Sequence, residues 1–258
     1  MSAAGRCLQP IAELSHGINC TSSGAIIWTA AVQNVLPIRA GSYYANSLGE
    51  ICMHTHAINK LDSREVSRKL WHMTPGVLIM GVPLLQDFPL IAYHLPALIV
   101  INTAILAVLS LVYAKRFSRP GERDWSVSVG AFAATALVPL IAFPGHVEIA
   151  LTALVILAFG DGAAALGGMA LHGPTLPWNE NKTIAGTLSF IVCAVPCATW
   201  IYWGISNPRI PFEVALMCGI AVASVAAAAE SIRSSINDNI RVGMAATSML
   251  LALHWMIR

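Results

Sequence analysis

Leu90 to Ala114 reads LIAYHLPALIVINTAILAVLSLVYA, an unbroken apolar run without one acidic or basic residue. The hydrocarbon core of a bilayer is about 30 Å thick, so a helix rising ~1.5 Å per residue needs roughly 20 apolar residues to cross it. This run is long enough, and it decides the class of the fold. Working outward, similar stretches are predicted over 72–88, 126–143, 146–172, 186–206, 211–229 and 240–257. The expectation is an all-α, polytopic membrane protein with about seven transmembrane helices. The stretch at 72–88 is the weakest, being short and interrupted by Pro75 and Pro83. Residues 1–60 are mixed in polarity and are expected to form a cytoplasmic or interfacial segment. Within them, the apolar run 24–38 is too short to span and suits the membrane interface.

Composition agrees. Of 258 residues 56% are hydrophobic and 11% charged, with a mean hydropathy of +0.67. Soluble domains carry about 25% charged residues, and disordered chains are apolar-poor, so both classes are excluded. Six cysteines without regular spacing do not make a disulfide scaffold. A formal charge of +2 is too small for a nucleic-acid binder. No secretory signal, internal repeat or low-complexity tract is expected.

Lysine and arginine favour the cytoplasmic side of a membrane. With seven spans, 13 of the 15 basic residues fall on one side, in groups around Arg68–Lys69, Lys115–Arg123, Lys182 and Arg233–Arg241; Arg209 and Arg258 fall on the other. Removing the 72–88 span would weaken this bias, so the charge pattern favours counting it. The N-terminus is then expected in the cytoplasm and the C-terminus on the far side.

The same map gathers three polar clusters at the cytoplasmic face. One is Arg68-Lys69-Leu70-Trp71-His72. The second runs from Gly160-Asp161-Gly162 to the loop Pro177–Thr183 and on to Gly186-Thr187. The third is Glu230 with Asn237-Asp238-Asn239. Asp161 interrupts a long apolar run, where a carboxylate costs several kcal/mol unless paired, hydrated or metal-bound. The flanking glycines lower helix propensity by ~1 kcal/mol each, so the helix is expected to open locally. Lys182, beside the free N–H groups of a helix start at Gly186 and Thr187, reads as a phosphate site; the bland alternative is a snorkelling interface lysine. Glu230 and Asp238, with Asp161, could hold Mg²⁺, which takes one or two carboxylates plus substrate phosphates; each alone could equally be a solvated charge. Arg68 and His72, four residues apart, share a helix face and could contact phosphate, or Arg68 and Lys69 could simply anchor the helix at the interface. Cys52, His54 and His56 alternate like metal ligands but lack a second ligand pair. Cys193 and Cys197 read as packing residues. His94, His146 and His254 are expected at membrane edges. P-loop, dinucleotide, H-E-x-x-H and G-x-S-x-G signatures are absent.

Taken together, R-K-x-x-H (Arg68 to His72), G-D-G-x-A (Gly160 to Ala164), LPWNENKTIAGTLSF (Leu176 to Phe190) and E-S…N-D-N-I-x-V (Glu230 to Val242) resemble the membrane-embedded polyprenol kinase family, which includes dolichol and phytol kinases. The resemblance runs from about residue 64 to 257. Ala185 before the loop glycine and the proline-aromatic-asparagine run look like the phytol kinase branch. The chain departs from the family at Gly167-Gly168-Met169, where a Gly-Arg pair is usual, and so lacks one basic phosphate contact.

The resemblance implies a lipid-alcohol kinase domain over 61–258. It would transfer the γ-phosphoryl of CTP, with Mg²⁺, to a prenyl alcohol such as phytol or geranylgeraniol. It also implies roles. Asp161, Lys182 and His72 would be catalytic. Arg68, Lys69, Thr183, Gly186, Thr187 and Asn239 would bind nucleotide. Asp161, Glu230 and Asp238 would hold metal. Two other readings stay open: a cytidylyltransferase like the CDP-diacylglycerol synthases, and a transporter with Asp161 on an ion path.

Overall fold

The computed structural model describes residues 63–85, 87–114, 125–171 and 173–257. The interfacial run 24–38, the Cys52/His54/His56 trio and the basic cluster Lys115–Arg123 lie outside the described residues. The elements in chain order are α1 (Ser63–Ile79), α2 (Val82–Leu85), α3 (Pro89–Val112), α4 (Trp125–Ala142), α5 (Val147–Val155), a π-helical turn (Ile156–Asp161), α6 (Gly162–Leu171), a hairpin of β1 (Thr175–Leu176) and β2 (Asn179–Thr183), α7 (Ile184–Ile205), α8 (Phe212–Ser231) and α9 (Asp238–Ile257).

Among the described residues, six helices are long and apolar enough to cross a membrane: Tyr93–Val112, Trp125–Ala142, Val147–Leu171, Ile184–Ile205, Phe212–Ser231 and Asp238–Ile257. Their outward faces are apolar, with Ile141, Val192 and Met217 each 70–76% exposed. Water would penalise so much apolar surface, whereas lipid accepts it.

α1 is the seventh long helix. It lies at 63–79, starting nine residues earlier than the 72–88 predicted from apolarity. Its first half carries polar residues that face inward, which hides the helix from a hydropathy reading. It nevertheless runs the length of the bundle. Lys69 near its start meets Asp161. At its other end Met80 accepts a hydrogen bond from Trp200 Nε1 (2.9 Å), and just beyond α2 Asp87 pairs with Arg209 (3.1 Å). A turn at Met80–Gly81 separates it from α2, and Pro75 sits inside it without ending it.

The centre of the bundle is the continuous helical rod from α5 through the π turn to α6. Seventy-eight per cent of its span is buried, against 17% for α3 at the periphery. Ile149, Ile156 and Leu157 of this rod pack against Phe190, Ala194 and Ala198 of α7 and Val222 and Ala226 of α8 in one cluster. Leu151, Leu154 and Val155 pack against Ala136 and Leu140 of α4 in a second. Small residues dominate where helices meet, which lets backbones approach closely and maximises dispersion contact where lipid removes the hydrophobic drive.

Gly160 and Gly162 act through such approach. The predicted opening of the helix between them does not occur; the rod widens into a π turn and continues. A Cβ on Gly160 would lie 2.5 Å from the Phe190 ring, and one on Gly162 would lie 2.5 Å from Met73 of α1. The glycines thus bring α7 and α1 against the rod beside Asp161. Single π turns inside α-helices are frequent at functional sites.

The hairpin is antiparallel, pairing Thr175 with Thr183 and Leu176 with Asn179 across an irregular register. It folds onto the end of α8: Asn179 Nδ2 donates to Ser231 O at 2.9 Å and Trp178 Nε1 to Ser231 Oγ at 3.3 Å.

Candidate active site

The rod places Asp161 in the bundle at 6% exposure. Lys69 Nζ of α1 donates to its Oδ2 at 2.6 Å, and His72 Nε2, one turn further along α1, approaches the same oxygen at 3.3 Å. The His72 ring is held edge-on against Phe132 of α4, with centroids 4.5 Å apart. A buried carboxylate needs a partner, and here that partner is a lysine 92 positions away in sequence. Arg68 turns back to Glu65 and makes a two-pronged contact, Nε to Oε2 at 3.1 Å and Nη2 to Oε1 at 2.5 Å.

Lys182 leaves β2 and reaches the junction of α8 and α9. Its ammonium donates to Glu230 and, at 3.3 Å, to Asp238 Oδ2. Glu230 is buried, at 3% exposure, and Asp238 half-exposed. Burial pulls the Lys182 pKa down, but the Glu230 carboxylate, then Asp238 and Asp161, outweigh that and hold it above its ordinary 10.5. Lys182 is therefore a fixed positive charge. Arg241, not anticipated from sequence, closes this corner. It donates to Ala229 O (2.6 Å), Glu230 O (3.3 Å) and Asp238 Oδ1 (2.8 Å), filling the orphan carbonyls at the end of α8. Its spacing of three from Asp238 on one helix was the available signal; the α8 carbonyls it caps were not visible in sequence.

Thr183 is the N-cap of α7, its side chain accepting from Gly186 N at 3.0 Å. Ile184 N donates to Pro174 O at 3.0 Å, and Thr187 Oγ1 donates to Thr183 O at 3.2 Å. Two of the N–H groups at this helix start are thus already engaged, and the site for an anion there is narrower than the sequence suggested. Gly186 serves packing, since a Cβ would lie 2.8 Å from Ala164 O. Asn237 caps α9 by accepting from Asn239 N at 3.0 Å. Asn239 Nδ2 donates to Ser128 O of α4 at 3.0 Å, so part of its side chain fastens α9 to α4.

All eleven residues singled out from sequence line one cavity of about 810 Å³. Arg68, Lys69, His72, Asp161, Lys182, Thr183, Gly186, Thr187, Glu230, Asp238 and Asn239 come from five helices and the hairpin, and the structure brings them all together. Glu65, Asn181, Asn237 and Ser128 join them. The cavity also has an apolar side, which the sequence did not reveal, between α1, α3 and α4: Trp71, Pro75, Leu106, Val129, Phe132 and Ala133. Two indoles frame it. Trp71 Nε1 donates to Ser110 Oγ (2.8 Å) and Trp125 Nε1 to Ser110 O (3.0 Å), clipping α1 and α4 to the end of α3.

Chemically, the chamber has a polar half in which ammonium and carboxylate groups interleave, and an apolar half that continues toward the bundle surface. Four carboxylates line it, Glu65, Asp161, Glu230 and Asp238, and between Glu230 and Asp238 a cation is already seated in the form of the Lys182 ammonium. That pair of oxygens is therefore arranged to hold positive charge.

The chain is similar to the probable phytol kinase 3, chloroplastic, of Glycine max, with 28% identity over 203 residues, covering 74% of this chain and 63% of that protein. The resemblance to the polyprenol kinase family holds. The chain spans a little under two thirds of that relative's length. No family model matches the sequence, and no solved structure matches it.

Proposed function

We propose that this protein is an integral membrane kinase that transfers the γ-phosphoryl group of a nucleoside triphosphate, CTP by family resemblance, to a prenyl alcohol such as phytol or geranylgeraniol. The observation that carries the reading is one chamber with a charged half and an apolar half, lined by every residue the family motifs singled out, in a chain similar to a phytol kinase. A prenyl alcohol has a hydroxyl on a long apolar tail. Its tail fits the Trp71–Phe132 side and its hydroxyl then meets Asp161.

Phosphoryl transfer asks a protein mainly for positioning and charge neutralisation. Asp161 accepts a hydrogen bond from the alcohol hydroxyl and orients its oxygen; the O–P bond to the γ-phosphorus forms as the bond to the β-phosphate oxygen breaks. The nucleoside diphosphate leaves, and the alcohol proton passes to the Asp161–His72 pair. Lys69, already hydrogen-bonded to Asp161, can follow the developing charge onto the phosphoryl oxygens. Lys182 and the Thr183–Thr187 turn hold nucleotide phosphates, with Arg68 closing from α1. Mg²⁺ would be held by Glu230 and Asp238, with Asp161 facing the same chamber, and would neutralise phosphate charge when bound. The bias of basic residues supports an active site on the cytoplasmic face with the N-terminus on that side.

The test is purified protein in lipid nanodiscs with γ-labelled CTP and phytol. Label in phytyl phosphate, with CDP released, supports the proposal. Release of pyrophosphate would indicate a cytidylyltransferase, and no nucleotide turnover or binding would favour a transporter. The same assay run as a matrix of triphosphates against prenyl alcohols fixes donor and acceptor.

A further inference from the structure

The opposite end of the bundle carries a second cluster that the proposed kinase reaction does not use. Asp238 opens α9 beside Lys182, and His254 lies 16 residues further along the same helix, which at ~1.5 Å per residue is about 24 Å away. There His254 meets the start of the central rod. His146 precedes α5 and Glu148 lies in its first turn. His146 Nδ1 is 3.2 Å from Glu148 Oε1, and His254 Nδ1 is 3.8 Å from the same oxygen. The two imidazoles stand edge to face with centroids 4.6 Å apart. One ligand atom from each of the three residues falls within 4.8 Å of the others.

We propose that His146, Glu148 and His254 form a binding site for a divalent transition-metal ion, with Zn²⁺ as the best match. The donor set decides the class. Two imidazoles and one carboxylate suit a borderline-soft ion such as Zn²⁺, whereas Mg²⁺ and Ca²⁺ prefer all-oxygen shells. A tetrahedral ion with bonds of about 2.0–2.1 Å needs its ligand atoms roughly 3.3 Å apart, so the cluster has to close modestly. It can, because His146 sits on a loop with its side chain 28% exposed, while the other two are fixed in the core at 4% and 0%. The second shell is also present. Tyr202 Oη of α7, itself buried, pairs with His254 Nδ1 at 3.1 Å and sets the ring's orientation, as outer-shell partners do for metal-bound histidines. A simpler account makes Glu148 an acid at a helix N-terminus, stabilised by the helix dipole. That explains Glu148 alone; it does not explain why two imidazoles, one from the loop before α5 and one from α9, converge on it.

The site would tie the start of the central rod to the end of the last helix. Full-length protein in nanodiscs, stripped with a chelator and desalted after incubation with Zn²⁺, should retain one equivalent by mass spectrometry. Co²⁺ should give the intense visible absorption of a tetrahedral site. His146→Ala, on the exposed ligand, and His254→Ala should weaken binding by more than the ~10–100-fold expected for loss of an outer-shell partner, and Tyr202→Phe by about that amount. Wild-type protein that stays metal-free and colourless would overturn the proposal without any variant. So would Zn²⁺ retained undiminished by His146→Ala, or lost only with Glu230→Gln or Asp238→Asn, which would place the ion in the large cavity.

Discussion

The central rod buries a carboxylate near each of two places along its length, Glu148 in its first turn and Asp161 at the end of the π turn, and the two are treated differently. Asp161 takes a hydrogen bond from a lysine, with one imidazole beside the same oxygen. Glu148 faces two imidazoles. One end of the helix thus holds an ion pair inside the chamber proposed to take lipid and nucleotide. The other is held by groups of the kind that bind a transition-metal ion. Burial of an acid alone says little about its role; the chemistry of its partner says more.

The sharpest way to break this contrast is to remove the partner. Lys69→Met leaves Asp161 buried without its lysine, with only His72 beside it, and should destabilise the fold by about 3–5 kcal/mol, read from thermal unfolding in nanodiscs; adding Asp161→Asn should restore most of the loss. In metal-free protein Glu148→Gln should cost only about 1 kcal/mol, the scale of a hydrogen bond, because the amide keeps an acceptor oxygen facing the two imidazoles. Equal losses at the two ends would remove the distinction.

Activity should divide the ends more cleanly. Asp161→Asn and Lys182→Ala are each expected to lower phosphoryl transfer at least ~100-fold, the scale of one electrostatic contact in a water-poor site. His146→Ala should leave the rate within about twofold, since the far end lies ~24 Å from the chamber. Wild-type rates in both cavity variants would sink the site assignment.

The α1 helix shows how far these features were legible beforehand. Spans such as Leu90–Ala114 declare themselves because apolarity is a local property. α1 was placed nine residues late, because Glu65, Arg68, Lys69 and His72 face an internal chamber and read as exposed charge. The motif residues around Asp161 and Lys182 were legible as residues. Their partners were not: Lys69 for Asp161 and Arg241 for Asp238 depend on which helices pack together. The far cluster was invisible for the same reason, since His146 and His254 are 108 positions apart.

Two smaller effects sharpen the picture of the chamber. Thr183→Ala removes the α7 cap and should lower stability by about 1 kcal/mol, with the nucleotide KM rising as the turn loosens. The Lys182 pKa is raised in the folded protein, so its ion-pair contribution is complete below its ordinary 10.5 and is lost only as pH rises through the higher folded value. The unfolding temperatures of wild type and Lys182→Met should therefore stay apart from about pH 6 to about pH 9, wild type the higher.

The π turn at Ile156–Asp161 inserts, in effect, one extra residue into an otherwise α-helical rod. Before it, the rod's faces fill the core; the turn itself ends on the carboxylate that lines the chamber, and after it Ala164, Ala165 and Gly168 line the same chamber. Deleting a single residue between Ile156 and Gly160 would leave a long apolar helix intact by every compositional measure. It would also take out the extra residue and return the turn to plain α-helix, so the flanking faces would keep their phase and the widened turn that carries Asp161 would be lost. One added residue lets a single helix serve two geometries.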